Sequence, residues 1–162
     1  MFEESPTYDS RANGEVEWAI QTVQGQTRTL KDALKARYTT EVKPDDHIIP
    51  RMVMHAGPLI SRYHKGHDGL TAFWRLREKK FRVDVCEFGE CVWCMKIGSV
   101  GTDKFDRKWE EGVWLGIVHE SGENIIGTHE GCGVKVRAVK SKPIQQRWDK
   151  DHLGLMRGVP WK

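Results

Sequence analysis

Apolar residues recur at helical spacing over the N-terminal part of the chain. The first stripe covers Gly14 to Tyr38, a second runs from about Asp46 to Tyr63, and a shorter one covers Leu70 to Leu76. In the first stripe the apolar or small positions are Val16, Ala19, Ile20, Val23, Thr27, Leu30 and Leu34. The pattern predicts three helices, and the Gly57-Pro58 pair is expected to kink or break the second.

After Lys79 the apolar period changes from that of a helix to that of a strand. Alternating runs are centred on Val83, Trp93, Leu115 and Val136, and glycine-containing turns separate them. The alternating positions are Phe81, Val83 and Val85, then Cys91, Trp93 and Met95, then Val113, Leu115 and Ile117, and finally Val134, Val136 and Ala138. Four or five short strands with this spacing favour a small barrel.

The change of period divides the chain into three segments and predicts an α+β fold. Residues 1–77 form the helical part, residues 78–142 form the barrel, and residues 143–162 are interpreted as a partly disordered tail or linker. A length of 162 residues leaves room for one domain or for pieces of two.

Composition narrows the class of protein without identifying it. The 26 Lys and Arg residues exceed the 23 Asp and Glu residues by three, which is too small an excess to indicate a nucleic-acid binder by itself. No apolar run is long enough to span a membrane, and the acidic start after Met1 does not resemble a secretory signal. The four cysteines are therefore expected to be reduced, in an intracellular protein.

Basic residues are concentrated in two places. One cluster, at the junction between helices and barrel, contains Lys79, Lys80 and Arg82. The other follows the last predicted strand and contains Lys135, Arg137, Lys140 and Lys142. Each cluster is either an ordinary solvated face or a contact surface for nucleic-acid phosphates, and the residues alone leave both interpretations open.

Two short pairs have spacings that occur in zinc sites. Cys91 and Cys94 form a C-x-x-C pair, and His64 with His67 could supply the remaining ligands of a zinc-stabilised adaptor. Alternation along a strand would place the two cysteines on opposite faces, where they would be core residues instead.

A resemblance to known proteins adds a specific hypothesis. Residues 5–24 (SPTYDSRANGEVEWAIQTVQ) resemble the last catalytic segment of retroviral and retrotransposon integrases, in which Asn-Gly precedes the third acid of an Asp, Asp, Glu triad. The resemblance implies that Glu17 is a catalytic ligand of Mg²⁺. It also makes Gln21, Gln24 and Arg28, which share the Glu17 side of the helix, weaker candidates for nucleic-acid contact.

The strand region resembles a second integrase segment. Phe88-Gly89, then residues 104–106, then residues 112–116 are similar to motifs of the SH3-like domain that follows the core in copia-type polyproteins. Together the resemblances imply the end of an RNase H-like catalytic core followed by an SH3-like barrel.

The resemblance also implies a function and a set of partners. The parent enzymes process the ends of element cDNA and transfer them into target DNA, which would place this chain in the nucleus. In that family the two Asp of the triad lie upstream of this segment. The chain is therefore expected to be inactive alone and to need the upstream part of the core as a partner. A homo-oligomer is a further expected assembly. The alternatives are a non-enzymatic module that binds nucleic acid or protein, and the zinc-stabilised adaptor.

Overall fold

Three helices precede a five-stranded antiparallel sheet in the computed structural model, and a short helix follows the sheet. The structure describes residues 13–83, 86–96, 105, 107–118, 121–130 and 133–154. The helices are α1 (Gly14–Tyr38), α2 (Ile48–Tyr63), α3 (Ala72–Arg77) and α4 (Lys150–Gly154), and a 3-10 turn covers Ile144–Gln146. The strands are β1 (Cys91–Met95), β2 (Trp109–Ile117), β3 (Asn124–Gly127), β4 (Gly133–Val136) and β5 (Val139–Ser141).

The first two helices form an antiparallel pair. Trp18, near the start of α1, contacts the ring of His64 just after α2, and the end of α1 packs against the start of α2. The predicted bounds of α1 are confirmed. Of the two outcomes expected at Gly57-Pro58, a kink or a break, the break is wrong, because the helix continues to Tyr63. The apolar stripe of α2 packs against neighbouring elements, and this packing outweighs the loss of one hydrogen bond at Pro58.

The strands are hydrogen-bonded in the order β4-β3-β2-β1-β5, and every neighbouring pair is antiparallel. No hydrogen-bonded ladder joins β4 to β5 in the described part of the chain, so the sheet is not a closed barrel. The strand predicted around Val83 is absent from residues 81–83, while Val85 lies outside the described residues. The fold is α+β, as predicted.

The α1–α2 pair covers part of one face of the sheet. Leu34 and Met52 are fully buried against Cys91, Val113 and Leu115, and the side chains of this cluster come from both helices and from β1 and β2. The helical segment and the strand segment therefore share one hydrophobic core. We call this side of the sheet the helix face.

The opposite face of the sheet carries a second core. It is formed by Val92, Cys94, Trp114, Ile126 and Val136. Phe81 and Cys86, from the connection before β1, pack against it.

The described residues after β5 pack against the helix face. Trp148 and Leu153 contact the first core, and the ring of Trp148 meets that of Tyr38 edge-on at 5.5 Å between centroids. The described part of the predicted tail, residues 143–154, is therefore structured.

Helix cover ends partway along β1 and β2. Cys91 is fully buried, whereas Met95, four residues further along the same side of β1, is 40% exposed. This open end of the helix face holds the candidate site described below. None of the helices within the described ranges has both the length and the apolar character needed to cross a lipid bilayer.

Candidate nucleic-acid interface

A groove of about 550 Å³ lies at the open end of the helix face. It is lined by two tryptophans and three cations, namely Trp93, Arg107, Lys108, Trp109 and Lys140. We call it the tryptophan groove. An aromatic floor with a basic rim is the combination that binds single-stranded nucleic acid, because bases stack on the rings while cations meet the phosphates.

Strand register brings these residues together. Trp93 on β1 lies opposite Lys140 on β5, and Trp109 on β2 lies opposite Met95 on β1. The side chains of directly paired residues project to the same face of a sheet. Lys140 reaches across β1, and its ammonium nitrogen lies 4.2 Å from the centroid of the Trp109 ring.

An ion-paired carboxylate marks the boundary between the groove and the covered core. Glu111 lies opposite Trp93, and its Oε2 atom is 3.2 Å from Nζ of Lys142 and 3.0 Å from Nε2 of His152 on α4. Lys142 is buried, with its Nζ atom 5.1 Å from the centroid of the Trp93 ring. Because Lys142 and His152 engage Glu111, this carboxylate offsets little of the positive charge of the groove.

Among the residues that the structure describes, all charged side chains that line the groove are basic. Its charged members are Arg107, Lys108 and Lys140, and no carboxylate lines it. Three cations around two half-buried indole rings would attract a polyanion and give it a surface on which to stack.

The basic cluster predicted near the last strand is divided between different surroundings. Lys135 and Arg137 are exposed on and just after the edge strand β4, where Arg137 lies 3.7 Å from Glu123. Lys140 lies on the other edge strand, in the tryptophan groove. Lys142 is buried in its ion pair with Glu111, so it is not part of a surface that could meet nucleic acid.

The junction cluster lies on the surface. Lys79, Lys80 and Arg82 are exposed and line a second groove of about 740 Å³. Phe73, Trp74 and Phe81 supply its aromatic part. This groove repeats the combination of basic and aromatic side chains, although its lining also includes Glu78.

The α1 candidates are all exposed. Glu17 lies in the first turn, followed on the surface by Gln21, Gln24 and Arg28. Throughout the described ranges, no three His, Cys, Asp or Glu side chains are grouped so that they could hold a metal ion. A Mg²⁺ site of the kind that the family resemblance implies needs further carboxylates beside Glu17, and the described residues supply none in such a group.

The residues of the candidate zinc site are not brought together. Cys91 belongs to the core on the helix face and Cys94 to the core on the other face, which confirms the prediction that they point in opposite directions. Burial raises the pKa of the Cys94 thiol to about 11, which disfavours the thiolate that zinc requires. His64 and His67 are exposed and belong to no metal-binding group within the described residues.

The two tryptophans of the groove were not among the sequence candidates. Alternation already placed Trp93 on the same side of its strand as Cys91, which could have marked it as an inward-facing residue. The groove exists, however, because the helices stop short of Trp93 and because β2 brings Trp109 alongside, and neither property has a local sequence signal.

In comparisons with known proteins, no protein-family model and no curated protein matches this chain.

Proposed function

We propose that this chain binds nucleic acid through the tryptophan groove and is a C-terminal piece of a copia-like retrotransposon integrase. The observation that carries the binding proposal is the placement of Lys140 over Trp109 beside Trp93, in a groove whose described lining has cations and no carboxylate. The preferred ligand is DNA with unpaired bases, such as a frayed or single-stranded element cDNA end.

A stacked base is expected to bind the Trp109 ring more strongly than Lys140 does, so a ligand can displace the Lys140 ammonium from the ring. A cation–π contact at an exposed site contributes about 0.5–1 kcal/mol. A base stacked on an aromatic side chain contributes about 1–3 kcal/mol by alanine substitution. Lys140 can leave the ring of Trp109 because its ammonium is carried on a flexible four-carbon stem, and it can then meet a phosphate beside the stacked base.

The integrase part of the proposal rests on the sequence resemblance, and the strand order is compatible with it. Strands β1 to β4 follow one another as neighbours, and β5 returns to pair with β1. A small barrel that is open between β4 and β5 has this order. The proposed SH3-like domain would therefore use its open helix face, next to β5, to hold DNA.

Catalysis is not expected from the chain alone. Glu17 is exposed in the first turn of α1, and no metal-binding group includes it among the described residues. Purified protein should show no Mg²⁺-dependent strand transfer on a cDNA-end substrate. Turnover that disappears in Glu17→Gln would contradict this interpretation.

The exposed half of α1 is where the remainder of an integrase core would pack. Val16 and Ile20 belong to the predicted apolar stripe but are exposed, as is Trp18 beside them. We propose that strands of the upstream core cover this surface in the complete protein. Adding the upstream segment should protect Val16 and Ile20 from solvent, whereas protection that grows with the concentration of this chain alone would indicate a homo-oligomer.

Binding can be tested with labelled single-stranded and duplex DNA of equal length over a series of salt concentrations. With three cations facing phosphates, the logarithm of the association constant should fall with the logarithm of salt concentration with a slope of about −2 for the single strand. The single strand should bind more tightly than the duplex, because its bases are free to stack.

Inorganic polyphosphate is the matched control ligand, because it carries phosphates like DNA but has no bases. Stacking predicts that the oligonucleotide quenches tryptophan fluorescence and that polyphosphate does not. Equal quenching by both ligands, or binding that does not respond to salt, would overturn the proposal.

A further inference from the structure

A buried arginine that forms no ion pair with any described residue lies outside the tryptophan groove. Arg62, near the end of α2, is only 7% exposed. Its Nε atom is buried and makes no hydrogen bond in the described part of the protein. A buried charge is costly unless it is paired, so this arrangement calls for a compensating group.

The contact that the structure describes for the Arg62 guanidinium is with an aromatic ring. The guanidinium carbon lies 4.4 Å from the centroid of the Phe81 ring. Burial lowers the pKa of Arg62 below its ordinary value, although a guanidinium remains charged at any physiological pH. Among the residues that the structure describes, no carboxylate is within ion-pair distance of Arg62.

A small cavity of about 250 Å³ opens beside this guanidinium. Two more cations, Arg77 from the end of α3 and Lys79 just after it, line the cavity together with the hydroxyl-bearing Ser121. Neither cation forms an ion pair within the described ranges. The remaining lining is largely apolar and includes Phe73, Phe81, Val83 and Ile117.

We propose that Arg62, Arg77 and Lys79 form a binding site for a phosphate group. Two guanidiniums and an ammonium supply donors that match a tetrahedral oxyanion, and arginine in particular can donate two parallel hydrogen bonds to phosphate. The apolar walls reduce competition from water and strengthen these charge-assisted bonds. A bound phosphate would also compensate the buried charge of Arg62.

The cavity is distinct from the tryptophan groove, with which it shares no lining residue. The phosphate could be free or could belong to a nucleic-acid backbone, since both present the same oxyanion. A backbone phosphate would extend the DNA contact of the chain to a second point, next to Lys80 and Arg82 of the junction cluster.

Calorimetric titration of the full chain with inorganic phosphate, at constant ionic strength, tests the site directly. We expect saturable binding that chloride does not reproduce, and a rise in the thermal unfolding midpoint as phosphate is added. Arg77→Gln should weaken phosphate binding by about tenfold, because it removes a charge-assisted contact. Lys80→Gln is the matched control, since Lys80 is an adjacent cation that does not line the cavity.

Arg62→Met provides a second variant with a different readout. It should abolish phosphate binding, and without phosphate it should unfold at the same temperature as the wild type or higher, because a buried unpaired charge is replaced by an apolar side chain. If this variant fails to fold, Arg77→Gln still decides the question. Absence of saturable phosphate binding, or equal affinity in wild type and Arg77→Gln, would overturn the proposal.

A competition experiment identifies the source of the phosphate. Displacement of inorganic phosphate by an oligonucleotide without terminal phosphates would support a backbone ligand, and displacement by a phosphomonoester alone would support a free one. Trp109→Ala should leave the affinity for inorganic phosphate unchanged. Failure of the groove proposal can therefore be distinguished from failure of this one.

Discussion

The two ends of the helix face are formed by the same strands but differ in burial. At the covered end, Cys91 and Val113 pack beneath α1 and α2 and are almost completely buried. At the open end, Trp93 and Trp109 continue the same side of the same strands but meet cations and solvent. The difference shows that strand alternation determines which side chains share a face, while the extent of the covering helices determines whether that face is buried core or solvent-accessible surface.

Two methionines, one at each end, give the largest expected contrast. Met52 is fully buried at the covered end, and Met95 is 40% exposed at the open end. Met52→Ala should lower the free energy of unfolding by about 2–5 kcal/mol because it removes a core side chain and leaves a cavity. Met95→Ala should cost less than about 1 kcal/mol. Urea unfolding of both variants measures the difference, and equal losses would contradict the division of the face.

A buried histidine should also make stability depend on pH. His55 on α2 stacks on Phe88 and meets Trp114 edge-on, and burial, with a smaller effect of Arg62, lowers its pKa to about 4. A neutral histidine is favoured in the folded protein, while the unfolded chain binds a proton near pH 6.5. The stabilisation is therefore present above about pH 6.5 and is lost as pH falls toward 4, by about 3 kcal/mol in total.

Unfolding measured across this pH range, with wild type and His55→Phe, checks the effect. In the variant, the free energy of unfolding should depend much less on pH between pH 6.5 and pH 4, since phenylalanine cannot bind a proton at this position. His67→Asn is the matched control, because His67 is exposed. A slope that persists in His55→Phe would show that other groups cause the pH dependence.

The smallest effect is expected on the exposed half of α1. Leu34 is 1% exposed and Ile20 is 51% exposed, although both lie on the same predicted apolar stripe. Ile20→Ala should change the free energy of unfolding by no more than about 0.5 kcal/mol, as for most surface substitutions. Leu34→Ala is the matched change in the covered half. A large loss from Ile20→Ala in dilute protein would mean that this half of the helix is covered after all.

Local sequence patterns correctly predicted the features that depend only on the periodicity of a single helix or strand. The bounds of α1 follow from its stripe and from the turn at Asn13-Gly14, and the opposite orientations of Cys91 and Cys94 follow from strand alternation. Alternation alone did not make residues 81–83 part of a ladder, although Phe81 packs against the second core.

Long-range contacts were beyond the reach of the sequence. Lys142 looked like one member of a basic surface, but its surroundings are set by Glu111, which lies 31 positions earlier in the chain and two strands away in the sheet. Trp109 looked like an ordinary aromatic residue until the β1–β2 register placed it beside Trp93. In both cases the chemistry depends on pairing between distant segments, which no local period encodes.

We propose that the open end of the helix face binds nucleic acid, and substitution of one tryptophan tests this proposal most directly. The affinity for a single-stranded oligonucleotide and the free energy of unfolding should be measured together for Trp109→Ala and for Trp18→Ala, whose exposed tryptophan lies on α1 outside the groove. We expect Trp109→Ala to weaken binding at least about fivefold, as the loss of one stacked base requires, in a protein that remains folded. Trp18→Ala should keep both properties. Wild-type affinity in Trp109→Ala, or equal losses in the two variants, would contradict the claim.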